Sequence, residues 1–314
     1  MENFGELKSL EILSKSLNSN IYRIKYKNKT AIIKRYKSKD KMRLNREFSA
    51  LNLLNKSCFK YVPKLLEINR KENHIIMSEL EGISPKQDLD FTIDLANHIN
   101  EMQNYIIKKE SLKACDAAFN IKDHFKLVEN KIIYILNKID FNPQEFRETK
   151  KMIYEILNWI QDYKKIIFLN FDVEEKINLD KIIFSQSDIG AHNSIIEKNL
   201  IYTFDYEYAG LDDPSKTFCD LIIHPESEVS IEKFTYLVQK IEALKIFNNS
   251  NERNLILIPL YRYKWFAIIL NSFLKNKDIY DDERLLKIIN KSKVYLKQTF
   301  QKISKFDLIK KINL

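Results

Sequence analysis

One stretch limits what this chain can fold into more than any other. Ser187-Asp188-Ile189-Gly190-Ala191-His192-Asn193 is followed by Phe204-Asp205-Tyr206-Glu207-Tyr208-Ala209-Gly210. Asn193 stands five residues after Asp188, and Asp205 twelve after Asn193. Between them, Ser194-Ile195-Ile196 and Leu200-Ile201-Tyr202-Thr203-Phe204 flank a polar break at Glu197-Lys198-Asn199. That pattern predicts two short strands joined by a tight turn. Such a hairpin brings its ends together, so Asp188, Asn193 and Asp205 converge. An amide and a carboxylate at one point can hold magnesium on a nucleoside triphosphate, with a further carboxylate left as base.

A second piece lies near the N-terminus. Ala31-Ile32-Ile33-Lys34 reads as a strand whose Lys can pair inner phosphates as a point charge. Glu47 follows thirteen residues later on a predicted helix over 39–55, with Leu44, Phe48, Leu51 and Leu54 at helical spacing. It is the carboxylate that can hold the Lys34 ammonium in place.

The rest of the pattern gives the architecture. Residues 1–20 read as a helical or irregular lead-in. Strands are predicted at 21–26, 30–36, 61–68, 74–78 and 180–185. The small α+β region ends at Glu79–Pro85, which carries both Gly and Pro. Helices are predicted over 88–107, 122–139, 143–163, 230–246, 254–274 and 282–300. The chain has only four glycines, Gly5, Gly82, Gly190 and Gly210, and the three interior ones are expected where the backbone demands them.

Composition excludes several classes. Hydrophobic content of 45% and charged content of 30% describe a folded chain, not a disordered one. Apolar runs are broken by charge within a few residues, so no transmembrane span is expected, and the N-terminus lacks the pattern of a secretory signal. Cys58, Cys115 and Cys219 are scattered and form no metal spacing. Free thiols of this kind suit a reducing compartment, and the expected location is the cytoplasm. The net charge of +9 is concentrated in residues 1–80, where 18 Lys and Arg oppose 8 Asp and Glu, a balance of +10. A basic region of this kind suits nucleic acid or a polyphosphate ligand, and heavy use of Lys, Asn and Ile throughout the chain offers a plain compositional explanation. No nucleic-acid partner is expected.

Together these motifs resemble the aminoglycoside phosphotransferase and choline kinase-like branch of the protein-kinase superfamily. The resemblance runs from about Asn20 to Trp265. It rests on Lys34, Glu47, a hinge at Met77–Gly82, the Asp188/Asn193 loop, Asp205, and Asp213-Pro214 followed by Asp220. It implies an α+β, bilobal protein-kinase-like fold: a β-rich N-lobe over 1–80 with one main helix, a hinge at 81–85, and a larger, mostly helical C-lobe over 86–314. It implies ATP or GTP as co-substrate, Mg2+, and a small-molecule hydroxyl as phosphate acceptor. Asp188 is then the base, and Asn193 and Asp205 are the metal ligands. Lys34, Glu47, Asn20, Ser78, Glu79 and Leu80 form the nucleotide site, the last three through hinge backbone. Asp220 is a structural brace.

The sequence departs from the family in two places. Gln186 stands where the family carries a His, two residues before the base. Leu17-Asn18-Ser19-Asn20 replaces the phosphate-loop glycines. These departures keep open a pseudokinase, which binds a nucleotide without transferring phosphate. His192 is expected to be structural or to contact phosphate. Asp205-Tyr206-Glu207-Tyr208-Ala209 is close to a choline and ethanolamine kinase motif, and relatives acting on sugars share it. Glu207 and Tyr208, with an aromatic wall of Tyr261, Tyr263 and Trp265, are the candidate acceptor contacts, unless these aromatics are core. The first expectation for the acceptor is a sugar or sugar-like metabolite. An amino alcohol comes second. An aminoglycoside comes third, because the only acidic run in the C-terminal helices is Asp281-Asp282-Glu283.

Overall fold

The computed structural model describes residues 8–15, 18–37, 41–106, 111–138, 144–248, 251–276 and 282–305. The expected helix ends at Lys39, Ile107, Ile139 and Pro143, together with Leu17 and Asp281, lie outside that set. The described residues form two compact units. One gathers Met1–Lys86, Asp94–Cys115 and Ile183–Asp212; the other gathers Gln87–Ile93, Asp116–Ile182 and Asp213–Leu314.

The first unit is built on a five-stranded antiparallel sheet in the order β1-β2-β3-β5-β4. Its strands are β1 (Lys8–Lys15), β2 (Ser19–Tyr26), β3 (Lys29–Tyr36), β4 (Leu65–Asn69) and β5 (His74–Ser78). Strand alternation divides β3. Ala31 and Ile33 join Tyr22, Ile24 and Ile76 in a buried cluster, while Ile32 and Lys34 face the other way and line a cavity. Lys27 and Asn28 turn the β2–β3 hairpin with φ of 49° and 64°, the left-handed pair a two-residue turn needs. Helix α1 (Met42–Lys56) buries Leu44, Leu51, Leu53 and Leu54, and Glu47 beside them.

β1 corrects the expected irregular lead-in. It pairs antiparallel with β2 through two irregularities in register. Its described residues 11–15 are all exposed, so no alternation of burial marks it, and it is defined by its pairing with the next strand, β2.

The same unit holds the segment that carries the motif. β6 (Ile183–Ser185) pairs with β9 (Gly210–Asp212). The predicted hairpin forms from β7 (Ser194–Glu197) and β8 (Leu200–Thr203). Lys198 and Asn199 turn it with φ of 50° and 63°. Phe204 N–H donates to the Asn193 carbonyl at 3.0 Å and closes its open end. Gly82 has a specific reason to be glycine. Its φ is +131°, and a Cβ there would meet the Ile196 carbonyl oxygen at 2.3 Å. Its neighbour Ile83 exchanges both backbone hydrogen bonds with Ile196, at 3.0 and 2.9 Å.

The second unit is helical. It contains the start of α2 (Leu89–Met102), then α3 (Ile121–Lys138), α4 (Gln144–Asn170), α5 (Pro214–Ile222), α6 (Ile231–Glu242), α7 (Lys245–Asn248), α8 (Asn251–Asn276) and α9 (Asp282–Lys305). Helix α8 packs against α3, α4, α5 and α9, and every residue from Ile256 to Ala267 is buried. A helix buried all round shows no single apolar stripe. Asp213 caps α5, its Oδ1 accepting from Ser215 N–H at 2.8 Å. Asp220 braces α5 to α8 through Lys264 at 2.5 and 2.7 Å.

Candidate active site

Lys34 sits in β3, the central strand of the five-stranded sheet, opposite Ile21 of β2 and Ile75 of β5. Its side chain is 3% exposed and its Nζ lies 2.8 Å from Glu47 Oε2, 2.7 Å from Asp205 Oδ1 and 3.1 Å from Glu207 Oε2. Burial opposes the ammonium, but Glu47, Asp205 and Glu207 outweigh it and hold the Lys34 pKa above its ordinary value. Lys34 therefore stays charged. Glu47 is itself fixed: Tyr36 donates its hydroxyl to Oε2 and Tyr206 N–H donates to Oε1 at 3.3 Å.

Among the described residues, two cations, Lys34 and Arg43, and three carboxylates, Glu47, Asp205 and Glu207, lie around this point. The balance is one negative charge. The three carboxylates also present oxygens within 4.8 Å of one another. Asp205 is the most open of them, at 29% exposure against 1% and 4%. Its φ of 65° puts it in the left-handed region, a costly conformation that the surrounding structure must impose. Ser187, next to Asp188, has φ of 71°.

In the loop, Asn193 Nδ2 donates to the Asp188 carbonyl at 2.9 Å. The amide is thereby oriented with Oδ1 left over. His192 Nε2 lies 3.4 Å from Asp188 Oδ1, and both side chains are over a third exposed. Gln186 Nε2 donates to the Phe204 carbonyl. The residue that departs from the family pattern thus ties the Asp188 loop to the residue preceding Asp205.

Lys34, Glu47, Ser78, Glu79, Leu80 and Asp205 line one cavity of about 330 Å³, whose walls include Leu13, Ile21, Ile32 and Met77. The lining is mixed: the Lys34–Glu47–Asp205 charges, the Arg23–Glu79 ion pair and aliphatic side chains, which suits a nucleotide with phosphates at Lys34 and the base against the aliphatics. Asn20 is not among the lining residues; it sits in β2 opposite Arg35, with Oδ1 buried and unbonded.

The candidate acceptor contacts are placed differently from the expectation. Glu207 is 4% exposed and is engaged by Lys34, by Arg43 at 2.5 Å and by Asn18 at 3.3 Å. Tyr208 lies under the Arg43 guanidinium, 4.8 Å from ring centre. Tyr261, Tyr263 and Trp265 form no wall: all three are core residues of α8. Tyr261 bonds His124 at 2.6 Å, and Trp265 packs edge-on to His224 at 5.1 Å. The helix is surrounded, so its aromatics have no free face to offer.

Two residues escaped the sequence reading. Arg43 precedes Glu47 by four residues and so shares its helix face, a usable signal. Arg23 bridges Glu79 at 2.7 Å and Glu11 at 2.6 Å; no local pattern announces that pairing.

Solved structures share this fold. Aminoglycoside phosphotransferase APH(2'')-Ib, ADP-bound, matches at TM-score 0.58 and 18% identity, over 94% of this chain and 95% of that one. Choline kinase from Cryptosporidium parvum matches at 0.60 and 12%, over 99% and 94%. Choline kinase LicA from Streptococcus pneumoniae matches at 0.58 and 17%, over 94% of each chain. No family model and no curated protein sequence matches. The fold is that of the aminoglycoside phosphotransferases and choline kinases, the protein-kinase-like class expected from the sequence. Among the described residues, no helix is long and apolar enough to cross a membrane.

Proposed function

We propose that the chain is a small-molecule kinase, moving the γ-phosphate of ATP or GTP to a hydroxyl of a sugar or sugar-like metabolite. The observation that carries this reading is the Lys34–Glu47–Asp205 cluster at the charged end of the cavity that Ser78, Glu79 and Leu80 also line.

The donor set fits magnesium. Asn193 has an oriented amide oxygen, Asp205 a part-exposed carboxylate, and the surrounding charges sum to a negative surplus. Hard oxygen ligands of this kind are what magnesium takes. When bound, the ion neutralises charge on the phosphates. Lys34 supplies the fixed positive charge for the inner phosphates, and Glu47 holds it against solvent. Asp188 orients the acceptor hydroxyl and takes its proton as the oxygen bonds to the γ-phosphorus. The bond from that phosphorus to the bridging oxygen breaks, and the nucleoside diphosphate leaves.

The test is a transfer screen of the purified protein with ATP and GTP against sugars, amino alcohols and aminoglycosides, read by diphosphate release and by phosphorus NMR of the product. Acceptor-dependent release is expected. Nucleotide binding without release for any acceptor would favour the pseudokinase reading.

A further inference from the structure

A second concavity, of about 680 Å³, lies wholly within the helical unit, between α3 and the C-terminal half of α8. Its lining mixes side chains in a specific way. Asp116 and Lys131 form an ion pair at 2.6 Å on one side. Asp123 and Lys126 add one charge of each sign. Asn130 of α3, which is exposed, and Asn271 of α8, which is partly buried, also line it; neither side chain has a hydrogen-bond partner among the described residues, so both amides are open to solvent and to a ligand. Among the described residues, Tyr134 supplies the one aromatic ring of the lining, over aliphatic Leu127, Ile135 and Ile268.

Charge decides what such a surface can hold. Among the described residues the lining is neutral, with two carboxylates against two ammonium groups. Behind it, buried Lys216 and Lys264 share Asp220, at 4.0 and 2.5 Å. Burial would raise the Asp116 carboxyl, but Lys131 first, and then Lys216 and Lys264, hold it below its usual range. A polycation finds no surplus of carboxylate here. A quaternary ammonium finds one ring where a cage needs several. Two uncommitted carboxamides each offer a donor pair and an acceptor, and one ring beside aliphatic carbon offers an apolar floor. That combination fits a flat-sided molecule with adjacent hydroxyl groups, and the volume lies within the range of small-ligand sites.

We propose that the α3–α8 concavity binds a neutral polyhydroxylated ligand, of mono- to disaccharide size, through Asn130, Asn271 and Tyr134, and that its balanced charge excludes organic cations. This class carries the hydroxyl that the proposed transfer requires, but the binding claim stands without the transfer.

The experiment is saturation-transfer NMR on the full chain. The probes are a panel of unmodified pentoses, hexoses, N-acetylhexosamines and maltose, with choline, streptomycin and gentamicin as cationic probes. At least one neutral sugar is expected to receive saturation. Asn130→Leu with Asn271→Leu should weaken that sugar about ten-fold or more, as the loss of paired hydrogen bonds implies. Tyr134→Ala, at an exposed position, should weaken it independently. Lys131→Glu makes the lining more acidic by two charges and should admit streptomycin or gentamicin. The proposal is overturned if no sugar in the panel responds, or if sugar binding survives both sets of variants. It is equally overturned if choline or an aminoglycoside binds the unaltered protein and is lost in the Asn130/Asn271 variant. Binding of a fluorescent ATP analogue, measured in parallel, separates the two claims. Its loss tells against the kinase reading alone, and loss of sugar binding with the nucleotide retained tells against this concavity alone.

Discussion

The side-chain amide of Gln186 donates to the backbone carbonyl of Phe204, so the residue two before Asp188 is fastened to the residue just before Asp205. Gln186 is 4% exposed, and losing a buried hydrogen bond costs about 1–3 kcal/mol. Gln186→Leu should therefore lower transfer about ten-fold or more while the protein stays folded. Gln186→His should keep most of the activity, because a ring N–H can make the same tether. Steady-state kinetics on both variants check this; equal turnover in Gln186→Leu and the unaltered protein would remove the tether from the mechanism.

Asp188→Asn should reduce phosphate transfer by about a hundred- to ten-thousand-fold, the usual worth of a general base. Nucleotide affinity should barely change, since the amide keeps the shape and the Asn193 bond goes to the Asp188 backbone. Calorimetric titration with nucleotide beside a turnover assay separates the two. Full retained turnover would sink the assignment of the base.

Lys34→Met leaves Glu47 and Glu207 buried without their shared cation. Breaking a buried ion pair from one side typically costs about 3–5 kcal/mol. The variant should lose stability in urea unfolding as well as nucleotide affinity. Adding Glu47→Gln should recover part of the stability and none of the affinity. If Lys34→Met alone unfolds at the unaltered midpoint, the cluster is not holding the unit together.

Acid should weaken the fold through His98. This ring is buried against Phe59 and bonds Thr203 at 3.2 Å. Burial pushes its pKa down to about 4 from 6.5. The unfolded chain takes up the proton near 6.5 and the folded chain only near 4. Between those values the unfolded state binds more protons, so stability present above pH 6.5 is lost as pH falls toward 4. One such group gives a slope of about 1.4 kcal/mol per pH unit. His124 and His74, also depressed by burial, act with the same sign. Urea midpoints at pH 7, 6 and 5 should fall in order, and His98→Gln should flatten the trend.

Gly82→Ala should cost about 2 kcal/mol, because its φ is left-handed and the new Cβ would collide with the Ile196 carbonyl. A glycine kept only for flexibility would tolerate the change, so an unaltered melting temperature would contradict the close-approach account.

The elements that carry the candidate site residues were legible because short-range pattern fixes them. Lys34 lies on strand β3, Glu47 lies on an amphipathic helix, and the 194–203 hairpin closes with a polar two-residue turn. Each depends on period and turn chemistry within about twenty residues. The placements that were not legible have no local pattern. β1 is exposed along its described residues 11–15 and shows itself only by pairing with the next strand, β2. The grouping of residues 94–115 and 183–212 with the N-terminal sheet has no local marker. The aromatic run of α8 carries the same letters whether it forms a wall or a core, and only its surrounding helices make it core.

The Asp188–Asn193 loop and Asp205 are the clearest division between the two. By itself the sequence determined their spacing and the hairpin that joins them, for which local hydrogen bonding and side-chain alternation are enough; the class of fold came from the motifs' resemblance to a known family. The tertiary structure decided the rest. It turned Glu207 onto Lys34 and Arg43 instead of leaving it free, gave Gln186 its carbonyl at Phe204, and set two unbonded asparagines in a charge-balanced concavity. Burial and electrostatic pairing are properties of neighbours in space, and a linear chain does not name them.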